Sequence, residues 1–102
     1  MRILLVENDS ETIALIERAV GRLPDCHVAA YADPSAAAEH LDKLAFDLAL
    51  IGSHARGGGL SLLARLRRLG AHAQTPIVIM TGPQDRPETR IDAFEAGATD
   101  VM

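Results

Sequence analysis

Short apolar runs alternate along this chain with longer segments whose apolar residues recur at helical spacing. The runs at 2–6, 47–51 and 76–80 are rich in isoleucine, leucine and valine, which is typical of strands buried on both faces of a sheet. A run at 26–31 is more mixed and predicts an edge strand. The alternation predicts an α/β fold, a doubly wound parallel sheet made of βαβ units.

Four segments between these runs predict helices, and several residues mark where the helices begin or end. Asp9 or Ser10 is placed to cap the first helix and Asp33 the second, while Gly70 and Gly97 are expected to end the third and fourth. The residues expected to face the core are Ile13, Ile16, Val20 and Leu23 in the first helix, Ala37, Leu41 and Leu44 in the second, Leu60, Leu63, Leu66 and Leu69 in the third, and Ile91 and Phe94 in a fourth over 86–96.

Right-handed crossovers predict a flavodoxin-like sheet with the strand order 2-1-3-4-5, in which residues 101–102 form the fifth strand. In such sheets, ligands bind at the carboxyl ends of the strands, where the direction of winding reverses. The residues that this topology gathers into a crevice are Glu7, Asn8, Asp9, Gly52 and Thr81.

Composition excludes several classes of function. The net charge is -4 with a pI near 5.4, and an arginine cluster at 65, 67 and 68 has no aromatic neighbours to stack on bases, so we expect a solvated helix face and no nucleic-acid binding. The single cysteine, Cys26, excludes an internal disulfide and is expected to be a buried thiol. No apolar run approaches the roughly 20 residues that span a bilayer, so we expect a cytoplasmic protein without membrane contact.

Four segments in order, at 4–9, 46–51, 76–81 and 94–100, resemble the receiver domain of bacterial two-component response regulators. The resemblance extends over essentially the whole chain. It implies the flavodoxin-like fold and a place in phosphorelay signal transduction, as a signalling module and not an enzyme.

In that family, an aspartate that ends the third strand accepts a phosphoryl group, two acidic residues after the first strand hold Mg²⁺, and a threonine or serine after the fourth contacts the phosphoryl oxygen. Glu7 and Thr81 match these positions. Asn8 stands at an acidic position, Gly52 at the acceptor position, and Val101 replaces the aromatic residue of the fifth strand; the family's lysine would lie beyond the last residue.

These departures affect phosphoryl transfer to an aspartate and the Mg²⁺ ion that assists it. Phosphoryl transfer to an aspartate needs a carboxylate nucleophile, and Gly52 has no side chain. Mg²⁺ usually takes one or two carboxylates in an octahedral set, so we expect weak Mg²⁺ binding or none, with Glu7, Asn8 and Asp9 as the residual candidate ligands. We favour structural roles here, with Asp9 capping a helix and Glu7 solvated at the strand end. Asp47 begins the third strand and is expected at the far edge of the sheet.

The loop after the third strand offers other candidates. Ser53 and His54 have no third group to orient them as a nucleophile and base, so we interpret His54 as a loop histidine. Arg56 before a run of three glycines could offer a cation and free amides to an anion, although a flexible connection is the favoured interpretation.

Three functions follow, in order of preference. The first is a pseudo-receiver, with no catalytic residue and no cofactor, that acts by protein–protein interaction with a histidine kinase or a C-terminal output domain. The second is a small anion or nucleotide binding module that uses Thr81, Arg56 and Ser53 in the vacated crevice. The third is a phosphate-accepting receiver with another acceptor.

The sequence stops before a fifth helix would begin. We therefore expect residues 1–102 to be either the N-terminal part of a longer protein or one subunit of a homodimer in which a second copy covers the exposed side of the sheet.

Overall fold

The structure, a computed structural model, describes residues 1–40, 45–53 and 58–102. Its core is a five-stranded parallel sheet with the strand order β2-β1-β3-β4-β5, which confirms the predicted flavodoxin-like topology. The elements in chain order are β1 Arg2–Val6, α1 Ser10–Gly21, β2 His27–Tyr31, α2 Pro34–Ala38, β3 Leu48–Gly52, α3 Gly59–Arg68, a short 3₁₀ helix Gly70–His72, β4 Ile77–Met80, α4 Pro87–Ala96 and β5 Asp100–Val101.

The register of the sheet aligns the carboxyl ends of its three central strands. Val6 at the end of β1 pairs with Ile51 of β3, and Gly52 pairs with Met80 at the end of β4. The residues that follow these strands therefore lie side by side at one edge. Asp47 lies at the amino end of β3, where its Oδ2 accepts a hydrogen bond of 2.8 Å from the backbone N–H of Arg2.

Aliphatic side chains of the sheet and of α3 form the main core. Strand residues that alternate along β1, β3 and β4 pack against α3, whose buried side chains are Leu62, Leu63 and Leu66. Burial of such large aliphatic groups stabilises a chain with few aromatic residues. The predicted leucine stripe is confirmed at 63 and 66, but Leu62 replaces the half-buried Leu60 as the third fully buried position.

Two predicted helix caps are confirmed. Asp9 is the N-cap of α1 and accepts from the backbone N–H of Thr12, and Asp33 is the N-cap of α2 and accepts from that of Ser35. Each carboxylate satisfies an amide that has no partner inside the helix. Gly97 ends α4 in the left-handed conformation, with φ 110°, as predicted.

Other helix predictions are wrong. Leu23 is 53% exposed because α1 ends at Gly21, before the stripe can continue. Ile91 and Phe94 are 59% and 47% exposed, and the fully buried residue of α4 is Ala93. A small side chain lets α4 approach α3 and β5 closely, so the bulky residues of α4 lie on other faces.

Two further expectations fail locally. Gly70 does not end α3 in a left-handed turn, since the helix ends at Arg68 with an extended Leu69 and Gly70 begins the 3₁₀ helix. Cys26 is half-buried, because it lies just before β2 and is not part of the strand. The predicted core residues Leu41 and Leu44 lie outside the described residues. Among the helices that the structure describes, none is long and apolar enough to cross a bilayer.

Candidate functional site

The carboxyl ends of β1 and β4 border a crevice of about 410 Å³ at the predicted position. Glu7, Asp9 and Thr81 line it, as the sequence predicted, whereas Gly52 is buried beneath Glu7 and Asn8 is exposed outside the lining. The remaining described lining residues are Thr12, Met80, Gly82, Pro83 and Gln84.

The Glu7 side chain is buried, with only 2% of its surface exposed, so the expectation that it is solvated at the strand end is wrong. Its Oε1 accepts hydrogen bonds from the backbone N–H groups of Asn8, at 2.9 Å, and Asp9, at 3.2 Å. A carboxylate that accepts two amide hydrogens can be buried at much lower cost than an isolated charge. Glu7 therefore holds the turn between β1 and α1.

The second oxygen of Glu7 occupies the space beside Gly52. A Cβ placed on Gly52 would lie 2.5 Å from Oε2 of Glu7, closer than Cβ atoms approach other atoms in folded proteins, and at a tight 3.1 Å from its Cδ. The carboxylate of Glu7 therefore fills the volume that a side chain at position 52 would need. On the other side of this strand end, a Cβ on Gly59 would collide with the carbonyl oxygen of Gly52, so the first turn of α3 packs directly on β3.

Asp9 faces its own helix. Its Oδ2 accepts from the backbone N–H of Thr12 at 3.2 Å and from the Thr12 hydroxyl at 2.5 Å, and Asn8 beside it is exposed. The predicted role of Asp9 as a helix cap is confirmed.

These donors do not fit a Mg²⁺ site. Mg²⁺ demands near-octahedral oxygen ligation, whereas one oxygen of Glu7 bonds two amides, an oxygen of Asp9 caps α1, and Gly52 contributes no side-chain oxygen. In the ranges 1–40, 45–53 and 58–102, no group of three or more His, Cys, Asp or Glu residues is placed to hold a metal ion.

Thr81 turns its hydroxyl towards the end of β5. The Oγ1 donates to the carbonyl oxygen of Met102 at 2.6 Å, and the backbone N–H of Thr81 donates to the same oxygen at 3.0 Å. Both donors of this residue therefore extend the pairing of β4 with β5. Such local bonding is the alternative to an anion contact for a threonine that follows a strand.

Ser53 and Asp85 join two loops at the rim of the crevice. The Ser53 hydroxyl donates to Oδ2 of Asp85 at 2.6 Å, and the backbone N–H of Gly82 donates to the same oxygen at 2.7 Å. Sequence reasoning missed Asp85. The signal was the stretch Gly82 to Asp85, since an aspartate in a glycine- and proline-containing turn often bonds the backbone near it. Arg56 and His54, which the sequence also singled out, lie outside the described residues.

Carboxylates dominate the charge of this region. Glu7 and Asp9 line the crevice, Asp85 lies at its rim, and the described lining includes no arginine or lysine. Arg86 and Arg90 border a neighbouring hollow of about 220 Å³ that shares Thr81 and Gly82 with the crevice. Among the described lining residues, the charged groups are therefore carboxylates, and the predicted Arg56 is not among them.

The expectation that the arginines of α3 form a solvated face is wrong for Arg67. Its Nε donates to the Gly97 carbonyl at 2.8 Å, Nη1 donates to the carbonyls of His72 and Thr75, and Nη2 donates to Oγ1 of Thr99 at 3.1 Å. Burial lowers the pKa of the guanidinium from its ordinary value. The side chain thus joins α3 to the segments that precede β4 and β5, while the neighbouring Arg65 and Arg68 are exposed.

The comparisons with known proteins agree with this fold. The sequence profile of the response regulator receiver domain matches residues 3–102. No curated protein sequence matches the chain. Among solved structures, the BeF3-activated N-terminal receiver domain of Klebsiella pneumoniae RstA is 30% identical, with a TM-score of 0.84 over 100% of this chain and 84% of that one.

Two other structures are similar. A response regulator from Chloroflexus aurantiacus is 27% identical, with a TM-score of 0.83 over 99% of this chain and 82% of that one. The chemotaxis protein CheY4 of Vibrio cholerae is 20% identical, with a TM-score of 0.86 over 99% of this chain and 83% of that one, a likeness in fold alone.

Proposed function

We propose, from the premise that this chain belongs to the response regulator receiver domain family of two-component signalling, that it is a pseudo-receiver. It keeps the scaffold of the family and transmits a signal by binding a protein partner, without phosphorylation of an aspartate. The partner we propose is a histidine kinase or an output domain.

One observation supports this proposal above the others. The acceptor position holds Gly52, and the space where an acceptor side chain would begin is filled by the Glu7 carboxylate. Glycine supplies no nucleophile, and the carboxylate that replaces it is buried and bonded to two amides. Oε1 of Glu7 thus has a structural role, and Oε2, which lies nearest to Gly52, belongs to the same buried carboxylate.

The same geometry supports weak Mg²⁺ binding or none, since Oε1 of Glu7 already accepts from the amides of Asn8 and Asp9 and Gly52 offers no side-chain oxygen. The acidic net charge and the carboxylates of the crevice favour a protein partner over nucleic acid. We keep the cytoplasm as the proposed location.

Phosphorylation is tested by incubating the chain with acetyl phosphate and Mg²⁺ and measuring its intact mass under neutral conditions. We expect no added phosphoryl group. A covalent phosphoryl adduct that is lost on treatment with hydroxylamine, as acyl phosphates are, would overturn the proposal. Mapping the adduct would then identify another acceptor, which is the third function that the sequence left open.

A second measurement uses beryllofluoride, because the related Klebsiella pneumoniae receiver domain is known in a BeF3-activated form. Amide chemical shifts are recorded for both proteins during a titration with Mg²⁺ and BeF₃⁻. We expect shifts around the crevice of the Klebsiella domain and none at Glu7, Ser53 or Gly82 of this chain. Equal saturation of both proteins would contradict the proposal.

The anion or nucleotide binding module has less support in the structure. The Thr81 hydroxyl bonds Met102, the Ser53 hydroxyl bonds Asp85, and carboxylates line the crevice. Saturable binding of inorganic phosphate or a nucleotide that is lost in a Thr81→Ala variant would favour this alternative.

A further inference from the structure

A single carboxylate oxygen accepts hydrogen bonds from two loops at the rim of the crevice. Oδ2 of Asp85 lies 2.6 Å from the hydroxyl of Ser53, directly after β3, and 2.7 Å from the backbone N of Gly82, two residues after β4. The backbone N–H of Asp85 donates to the Gly82 carbonyl at 3.1 Å, which closes the turn that carries the carboxylate. Donor pairs of this kind form strong hydrogen bonds to a charged acceptor.

The position of this carboxylate links the sheet to α4. Ser53 is fixed to the sheet because its backbone N–H donates to the Met80 carbonyl at 2.9 Å. Asp85 lies two residues before Pro87, the first residue of α4. The N-cap residue of α4, Arg86, makes no side-chain capping hydrogen bond. The bonds of Asp85 are described side-chain contacts that tie the start of this helix to the end of β3.

The two donors would suit a small anion, since an N–H and an O–H that converge on one point can bind an oxyanion. Here the chain supplies the anion itself. We propose that Asp85 is a positioning residue, an internal ligand that holds the loop after β4 against the loop after β3 and thereby sets the start of α4 without an external anion. This inference rests on the proposed function, because a pseudo-receiver needs its partner-binding surface arranged without a phosphoryl group.

The first test compares Asp85→Ala and Asp85→Asn with the unmodified chain by hydrogen exchange of the Gly82 amide. We expect exchange to accelerate by about tenfold or more in Asp85→Ala, because a bond to a charged acceptor is lost. The Asn variant keeps an acceptor oxygen and should change less. Asp92→Asn, an exposed aspartate within α4, is the matched control and should leave the Gly82 amide unchanged. Unchanged exchange in Asp85→Ala would overturn the proposal.

The second test asks whether Ser53 and Asp85 act through each other. In a double-mutant cycle of Ser53→Ala and Asp85→Asn, we expect the double variant to accelerate Gly82 exchange by clearly less than the product of the two single effects. Ser61→Ala, at an exposed serine of α3, should combine multiplicatively with Asp85→Asn. Independent effects of Ser53 and Asp85 would overturn the shared-oxygen geometry, and this cycle remains informative if Asp85→Ala does not fold.

A third test uses formate as the probe. Asp85→Ala leaves the Ser53 hydroxyl and the Gly82 amide facing a space the size of a carboxylate, so millimolar formate should slow Gly82 exchange in this variant and have no effect on the unmodified chain. Faster exchange through a general loss of stability would not be reversed by formate, and the absence of rescue would count against the proposal. All three tests are made without a phosphodonor, so their results do not depend on whether the chain can be phosphorylated. Phosphorylation in the separate acetyl phosphate experiment would refute the pseudo-receiver and leave the result on Asp85 standing.

Discussion

Carboxylates satisfy backbone amides at the carboxyl ends of the strands, whereas the amino ends use a guanidinium, Arg67, as well as a carboxylate, Asp47. At the carboxyl ends of the strands, Glu7, Asp9 and Asp85 accept hydrogen bonds from backbone amides. At the amino ends of β4 and β5, the guanidinium of Arg67 donates to the carbonyls of Gly97, His72 and Thr75. Both ends of the strands therefore use charged side chains to hold neighbouring backbone segments in place.

A site at the expected position in the fold does not imply that its side chains are available for a reaction. The carboxyl edge is where ligands bind in open α/β sheets, and it does contain carboxylates. Each of these carboxylates, however, already accepts hydrogen bonds from the chain. Arg67 likewise donates its hydrogen bonds to groups of the chain. Within the described ranges, no buried side-chain nitrogen or oxygen lacks a hydrogen-bond partner. The polar residues at the strand ends thus have structural roles, although their position in the fold is one where ligands commonly bind.

The largest expected effect lies at the amino edge. Arg67→Ala removes donors to three carbonyls and to Thr99, and we expect a loss of about 3 kcal/mol in the free energy of unfolding. Urea denaturation measures it. Arg68→Ala, one residue away and exposed, should change stability by less than about 0.5 kcal/mol. Equal effects of the two variants would mean that Arg67 is a surface charge with no structural role at the amino ends of the strands.

The next effect lies at the carboxyl edge. Gly52→Ala places a Cβ against Oε2 of Glu7 and should cost about 1 kcal/mol, and Gly52→Asp adds a second carboxylate at the same point and should cost about 2 kcal/mol. Thermal unfolding of both variants measures the steric and the charge contributions. Adding Glu7→Gln to Gly52→Asp should recover part of the loss, since it removes the repulsion between the carboxylates. If Gly52→Asp were as stable as the unmodified chain, Glu7 would not occupy that space.

The cap of α1 gives a smaller effect. Asp9→Ala leaves the Thr12 amide without its acceptor and should lower stability by about 1 kcal/mol. Asp9→Asn keeps an acceptor and should be nearly neutral, so urea denaturation of the pair separates capping from charge. Similar losses in both variants would indicate that the negative charge of Asp9 matters more than its hydrogen bond.

The smallest effect is expected at Thr81. Thr81→Val removes the hydroxyl bond to Met102 at nearly constant volume and should cost roughly 0.5 kcal/mol, because the site is only half-buried. Thr81→Ser keeps the bond and is the control. If Thr81→Val instead changed the binding of an anion and left stability unaltered, the hydroxyl would belong to the crevice and not to the pairing of β4 with β5.

The sequence predicted the fold because several independent patterns agreed. Apolar runs defined the strands, Asp9, Asp33 and Gly97 marked helix ends, and right-handed connections gave the order of the strands. Three of the residues around the crevice, Glu7, Asp9 and Thr81, were also predicted, since the register of a parallel sheet places strand ends side by side.

The errors share a physical cause, which is that side-chain direction depends on tertiary packing. The sequence reasoning assigned the buried face of α4 to Ile91 and Phe94, but helix packing selected the small Ala93. It treated Arg67 as solvated, although residues 72–75 and the distant residues 97–99 supply its acceptors. It could not foresee that Glu7 would turn inward, because the space that Glu7 enters exists only once β1 and β3 are paired.

Glu7 and Gly52 constrain the order in which substitutions can accumulate in such a lineage. A codon change that turned Gly52 into aspartate would bring its first side-chain carbon to 2.5 Å from the Glu7 carboxylate. The end of the Glu7 side chain would have to leave this space for the new side chain to fit. A new nucleophile at position 52 therefore requires either another conformation of Glu7 or a shorter residue at position 7.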